Sequence, residues 1–443
     1  MKSLKNMLCN YQDTDYYPYH MPGHKRNTEK FGKALPYNID ITEIDGFDDL
    51  HHPENIFLEM QDKAAKLFQA EESHFLVNGS TVGILSAILA TTNYGDKILV
   101  ARNCHKSVYN AIVLNHLTPI YLYPGFNEEY FINDELLACD IKDILNKNHD
   151  IKVVVIVSPT YEGVISNISE IANTVHQKGI PLIVDEAHGA HLGLHHALYR
   201  NSNQEGADIV VQSLHKTLPS LTQTAILHLN GEFIDREKVK RYLTMLQSSS
   251  PSYVLLASID QCVNILIEKK EELFQEYVDN ILELRQQIKQ LKHIQLVETK
   301  RYDISKIVLS TLNVELNSRE LYQILLHKYH LQMEMVGESY IVAMTTIGDT
   351  KEGLSRLFYA VQEIDENIEY KSVETLQNYK QKIKNLVTLP HLEYKAESID
   401  SSELFYYLYP PGIPIVTPGE IITEEVYEKL QEYKEEGFYI RRG

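Results

Sequence analysis

Lys216 lies in Ser213-Leu214-His215-Lys216-Thr217, directly after the apolar run Asp208-Ile209-Val210-Val211. A short β-branched run ending in Ser-x-His-Lys predicts a buried strand that delivers a lysine to its C-terminal edge. A lysine there is costly unless it is paired, solvated or covalently used. An isolated His-Lys pair is ordinarily a solvated loop. The neighbouring sequence changes that reading, because a second such strand, Pro181-Leu182-Ile183-Val184, ends in Asp185-Glu186-Ala187-His188. An amine and a carboxylate at nearby strand ends are the two groups that pyridoxal phosphate needs. The lysine forms a Schiff base, and the aspartate pairs with the pyridinium nitrogen.

The elements around this pair support the same chemistry. Asn78-Gly79-Ser80-Thr81 leads into an apolar helix from Val82 to Ala90, offering backbone N–H groups, two hydroxyls and a favourable dipole end to an anion. Alone, Ser80 or Thr81 would read as a helix N-cap; beside a lysine–aspartate pair, a phosphate cup is the better reading. Strands at Lys97–Ala101, Pro119–Tyr123, Lys152–Val157 and Thr224–Leu229 alternate with helical stretches, which predicts a mostly parallel sheet. Ligands gather at the carboxyl ends of such strands. His105, Thr160, Asp185 and Lys216 all fall at those ends.

Composition excludes several function classes. The chain has 443 residues, 44% apolar and 23% charged, enough for a large core in two or three domains. Lys plus Arg number 42 against 61 Asp plus Glu, a net charge of -19 that argues against nucleic acid and anionic membranes. Cys9, Cys104, Cys139 and Cys262 match no metal-ligand spacing and read as free thiols in a reducing cytoplasm. Neither a secretory leader nor a bilayer-spanning run is visible.

The expected organisation is an N-terminal arm over 1–50, a large cofactor-binding domain over 51–255, a linking helical segment over 256–295 and a C-terminal α+β region over 296–443. The arm holds His20-Met21-Pro22-Gly23-His24-Lys25 and the acidic stretch Asp40 to Pro53, which lacks the ligand alternation of a calcium loop. Asn55 to Ala70 has a helical period. Glu363 to Lys384 reads as one solvated helix. Tyr409 to Glu420 is too proline-rich for regular structure and is expected to be a rigid loop presenting Glu420.

Taken together, these stretches resemble the pyridoxal-phosphate-dependent ornithine/lysine/arginine decarboxylases of bacteria. The resemblance rests on His20–Lys25, Asp45–His51, Asn78–Thr81, Arg102–Ser107, Ser158–Gly163, Asp185–His191, Ser213–Thr217, Ser248–Tyr253 and Tyr409–Glu420, in the family's order and over nearly the whole chain. It implies an aspartate-aminotransferase-like α/β fold (fold type I), with a mostly parallel seven-stranded sheet and a smaller α+β C-terminal region. By the family pattern Lys216 would carry the cofactor, Asp185 would hold its ring nitrogen protonated, and His105 and Ala187 would flank the ring. Ser80, Thr81, Ser213 and His215 would bind phosphate, Ser249 would reach it from a neighbouring subunit, Thr160 would line the cofactor site, and His188 would lie near the reacting centre. The resemblance also implies a homodimer at least, with shared active sites. Larger family members carry an N-terminal wing, whereas a short arm precedes His20 here, so a dimer or tetramer is expected. Arg26-Asn27 stand where the family often has glycine.

The implied activity is decarboxylation of lysine, arginine or ornithine to the corresponding amine. Other reactions on the same cofactor (transamination, aldol cleavage) and a non-catalytic cofactor- or amino-acid-binding paralogue stay open. An arginine clamping the substrate carboxylate would favour transamination, and Arg102 and Arg241 are the candidates. A distal ammonium or guanidinium wants a carboxylate; Glu43, Asp45, Glu162, Glu334 and Glu420 are all candidates.

Overall fold

The computed structural model describes residues 3–14, 17–18, 20–22, 24–387, 392, 406–408, 412–435 and 440–442. Gly23 and Tyr409–Pro411, which belong to two of the stretches singled out above, lie outside them. Two compact units divide the chain: Met1–Thr91 with Pro181–Glu272, and Thr92–Ile180 with Leu273–Gly443.

The first unit carries four adjacent strands in the order Glu72–Leu76, Ala225–Leu229, Ile209–Gln212, Leu182–Asp185. Ile209, Val210 and Val211 are fully buried, as a run apolar on both faces requires. Burying each such side chain contributes roughly 1.5–3 kcal/mol. Leu182–Asp185 and Ile209–Gln212 pair in parallel. Ala225–Leu229 runs antiparallel to both its neighbours. It returns directly after the Lys216 turn, without the long helical crossover that a parallel partner needs. Helix Gly79–Thr91 lies on this sheet at Gly83, where a Cβ would come within 2.8 Å of Val211 and 2.7 Å of Leu76. Only glycine lets the helix approach so closely.

The N-terminal arm is more ordered than its composition suggests. Leu4–Gln12 is a helix with Leu4 and Leu8 buried. Its start is held from far away in sequence, since Ser3 Oγ and the Leu4 N–H both donate to Asp260 Oδ2. In the acidic stretch, Asp48 accepts from the N–H groups of Glu54, Asn55 and Phe57 and so caps helix Ile56–Phe68. Among the described residues no group of three His, Cys, Asp or Glu could hold a metal.

The second unit holds three parallel strands in the order Ile151–Val157, Lys97–Ala101, Thr118–Leu122. It also contains an antiparallel sheet of Gln295–Leu296, Lys306–Ser310, Tyr340–Met344 and Met335–Val336. Two expectations are corrected here. Glu363 to Lys384 is not one helix: Lys351–Asp365 and Val373–Val387 are separated by a segment in which Tyr370 bridges Val314. Backbone bonds from Glu315 to Glu369 and from Lys371 to Asn313 hold that break open. The proline-rich stretch is not wholly irregular, because Pro414–Val416 pairs with Tyr406–Leu408. As an edge strand it tolerates the missing proline N–H. Among the described residues no helix is long and apolar enough to cross a membrane.

Candidate active site

Strand Leu182–Asp185 ends on a buried carboxylate. Asp185 Oδ1 accepts the Ala187 N–H at 3.1 Å. Burial raises the pKa of Asp185, while the Lys216 charge and the Ala187 amide pull it back down. Lys216 sits in the short helical turn Leu214–Thr217, and its Nζ lies 3.0 Å from His188 Nε2. The first unit thus brings amine, carboxylate and imidazole together from two adjacent strand ends.

The hydroxyls converge at the same edge. Ser80, in the first turn of helix Gly79–Thr91, lies 2.9 Å from Ser213, oxygen to oxygen. Thr81 is exposed in the same turn. His215 Nδ1 donates to the Thr224 carbonyl at 2.7 Å. Burial lowers its pKa, the Thr224 bond opposes this and the Lys216 charge adds to it. Ser249 is exposed in the turn after helix Arg236–Leu246. Its neighbour Ser248 is fixed by Asn78 and His51.

His105 and Thr160 belong to the second unit. His105 caps helix Lys106–Leu114, with Nδ1 facing the N–H of Ser107 at 3.3 Å and its hydroxyl at 3.0 Å. With Nδ1 accepting, the ring proton resides on Nε2. Thr160 is buried, and its hydroxyl accepts the Val164 N–H at 3.2 Å, closing the turn after Ile151–Val157.

Several candidate charges are already engaged. Arg102 donates through Nε and Nη2 to Glu420, through Nη1 to the Pro414 carbonyl and through Nη2 to the Ile415 carbonyl. Glu420 is therefore buried against an arginine rather than presented by a loop. Glu162 is buried and accepts the Tyr340 hydroxyl at 2.6 Å, and Glu334 accepts that of Tyr161 at 2.9 Å. Arg241 is exposed on helix Arg236–Leu246. Glu43 and Asp45 differ: with Tyr11, Tyr17, His20 and Phe47 they line a cavity of about 820 Å³ in the first unit. Glu43 Oε1 is buried there without a hydrogen-bond partner.

One group went unnoticed in the sequence. Glu186 is buried, accepting the Ser202 hydroxyl at 2.6 Å, the Ser202 N–H at 2.9 Å and the Gln212 amide at 2.6 Å. Burial pushes its pKa up to about 7. An acidic residue directly after Asp185, at the end of an apolar run, was the available signal.

A lysine, a buried carboxylate and paired hydroxyls at the carboxyl ends of α/β strands define a class, the fold type I enzymes. Residues 3–401 match the family model described as Orn/Lys/Arg decarboxylase, major domain. The chain belongs to that family. Its relatives include the uncharacterized protein YaaO of Bacillus subtilis (strain 168), 34% identical over 454 residues, covering 96% of this chain and 93% of that protein. An arginine decarboxylase of the same organism is 32% identical over 435 residues, covering 92% and 88%. Among solved structures, the lysine decarboxylase LdcF of Francisella novicida matches with a TM-score of 0.80 at 18% identity, over 99% of this chain and 78% of that one. The α/β fold expected from the sequence is borne out.

Proposed function

We propose that this protein binds pyridoxal phosphate through Lys216 and decarboxylates a basic amino acid, with arginine the foremost candidate. The observation that carries the reading is the Lys216–His188 pair at 3.0 Å beside the buried Asp185. Arginine comes first because the arginine decarboxylase relative matches over 92% of this chain.

The residues present fit the cofactor. Asp185 is a buried carboxylate suited to a ring N–H, and Thr217 Oγ1, next to Lys216, is buried without a hydrogen-bond partner. When bound, pyridoxal phosphate supplies an electron sink for the pair left when the Cα–carboxylate bond breaks. Lys216 Nζ would hold the cofactor's carbonyl carbon, and Asp185 would keep the ring nitrogen protonated in a low-dielectric site. Ser80, Thr81, Ser213 and His215 would hold the phosphate, with Ser249 reaching it from a second subunit. His105 and Ala187 would flank the ring, and Thr160 would shape the strand end beside it. The proton that replaces CO2 at Cα would come from Lys216 Nζ or His188 Nε2, between which it can pass directly.

Two features favour decarboxylation over transamination. Arg102 is committed to Glu420 and two carbonyls, and Arg241 is exposed, so neither is offered as a clamp for the substrate carboxylate. Of the five carboxylates considered for the distal charge, Glu43 and Asp45 keep capacity and line a cavity. The four cysteines are free, which supports a reducing, cytoplasmic setting.

The test is CO2 and amine release by the protein supplied with pyridoxal phosphate, across arginine, lysine, ornithine and neutral amino acids. Turnover of arginine, lost in Lys216→Ala, is expected. A visible cofactor band without turnover of any basic amino acid overturns the decarboxylase reading. Light scattering of the purified protein checks the dimer.

A further inference from the structure

The strand pleat places Asp185 and Glu186 on opposite faces of the sheet. Asp185 pairs with Val211, the residue against which helix Gly79–Thr91 packs at Gly83. Glu186 therefore faces the other side, where Gln212, His228 and Ser73 occupy successive strands. There they form one connected chain. Ser73 Oγ lies 2.7 Å from His228 Nδ1, His228 Nε2 lies 3.1 Å from Gln212 Oε1, and Gln212 Nε2 donates to Glu186 Oε2 at 2.6 Å. All four side chains are buried, and the Phe68 ring lies 5.1 Å from that of His228.

With Glu186 ionised, the direction of these bonds follows: a carboxylate only accepts, so Gln212 presents its NH2 to Glu186 and its carbonyl to His228. His228 must then donate from Nε2 and accept from the Ser73 hydroxyl. Ser202 adds two donors on Glu186 Oε1, and every donor in the chain points toward Glu186. The link has a clear address. Glu186 adjoins Asp185, and Gln212 adjoins Ser213, four residues before Lys216.

We propose that Glu186 is a positioning residue, whose bond to Gln212 holds the strand end bearing Asp185 in register with the strand end bearing Ser213 and Lys216. This rests on the cofactor reading above. Neither residue touches the cofactor's groups; they act from the opposite face, through the two backbones.

A charge swap tests it. Gln212→Glu removes the amide donor to Glu186 and sets a second buried carboxyl against it. Only proton uptake relieves that strain, and the assay is run at pH 8 to oppose that uptake. Glu186→Gln with Gln212→Glu restores every bond, because the introduced amide accepts from Ser202 and donates to the introduced carboxylate, which in turn accepts from His228. The readouts are the dissociation constant for pyridoxal phosphate and the pH midpoint of the visible band that the cofactor gains on joining Lys216. Far-UV circular dichroism verifies folding. Gln212→Glu is expected to weaken cofactor binding roughly tenfold or more and to move the midpoint, since a half-satisfied buried network is costly. The swap is expected to stay within about threefold of wild type. A normal wild-type band with an unaffected Gln212→Glu, or with a folded swap that fails to recover, overturns the inference alone. Absence of the band in the wild-type protein overturns the cofactor reading and this inference with it. Should Gln212→Glu not fold, Glu186→Gln decides beside the swap. It keeps the link by reversing each bond, and tenfold weaker cofactor binding in a folded Glu186→Gln overturns the proposal.

Discussion

Arg102 and Glu420 form a bidentate ion pair with no side-chain exposure on either partner, Nε to Oε1 at 3.2 Å and Nη2 to Oε2 at 2.9 Å. The Thr417 N–H adds a third bond to the carboxylate at 2.7 Å. Removing one partner leaves the other charged and buried. Glu420→Ala should therefore lose about 3–5 kcal/mol of stability in urea unfolding. Glu420→Gln, which keeps one acceptor, should lose less. Equal losses would mean that the retained acceptor contributes nothing and that the whole effect lies in the charge; no loss in Glu420→Gln would mean that the charge contributes nothing.

The Lys216–His188 contact predicts a kinetic signature. If His188 Nε2 takes part in moving the proton to Cα, His188→Gln should lower kcat by roughly 10²-fold or more and leave KM within a few-fold. A change confined to KM would instead make His188 a substrate-binding group.

Asp185→Asn keeps the shape and removes the charge. The variant should still attach cofactor through Lys216, while kcat falls by on the order of 10²-fold or more. Absorbance spectra and single-turnover CO2 release separate the two effects.

Glu186 makes stability depend on pH with a definite sign. Its pKa in the folded chain is pushed up to about 7 from an ordinary 4.5. The folded state therefore binds more protons than the unfolded state between those values, and stability falls as pH rises from 4.5 to 7. Relative to Glu186→Gln, the wild-type protein should lose roughly 3 kcal/mol across that window. His228, held neutral with its pKa down to about 3 by burial, works in the opposite direction below its ordinary 6.5. The comparison with Glu186→Gln is what isolates the glutamate. Urea midpoints at about pH 5 and pH 8 provide the measurement.

Asp48 caps helix Ile56–Phe68 from outside it, and Tyr253 donates its hydroxyl to the Asp48 carbonyl. Asp48→Ala should cost about 1–2 kcal/mol, in line with lost helix caps. Hydrogen exchange should show the loss concentrated in the first turn after Asn55.

Much of this molecule was legible in its sequence for a local reason. β-branched runs announce strands, and the residues that end them announce what a strand delivers, so Lys216, Asp185 and the Ser80 turn could all be read in place. The unread parts depend on partners far along the chain. Helix Leu4–Gln12 has only Leu4 and Leu8 buried, and its start is held by Asp260, which no local pattern connects to it. Glu420 sits in a proline-rich stretch that suggests a presenting loop, and nothing nearby points to Arg102. Glu186 is not legible locally because its partner Gln212, and the His228 that Gln212 joins, lie on other strands within runs that read simply as apolar.

The alternation of Asp185 and Glu186 also limits how this gene can change. A single codon lost within Leu182–Val184 leaves an apolar strand ending in two acids, yet turns each carboxylate to the other side of the sheet. The glutamate, one methylene longer, then occupies the place of the aspartate, and the aspartate falls short of Gln212. Substitutions in this strand can be graded by size and polarity, but a one-residue deletion exchanges the working face for the supporting one.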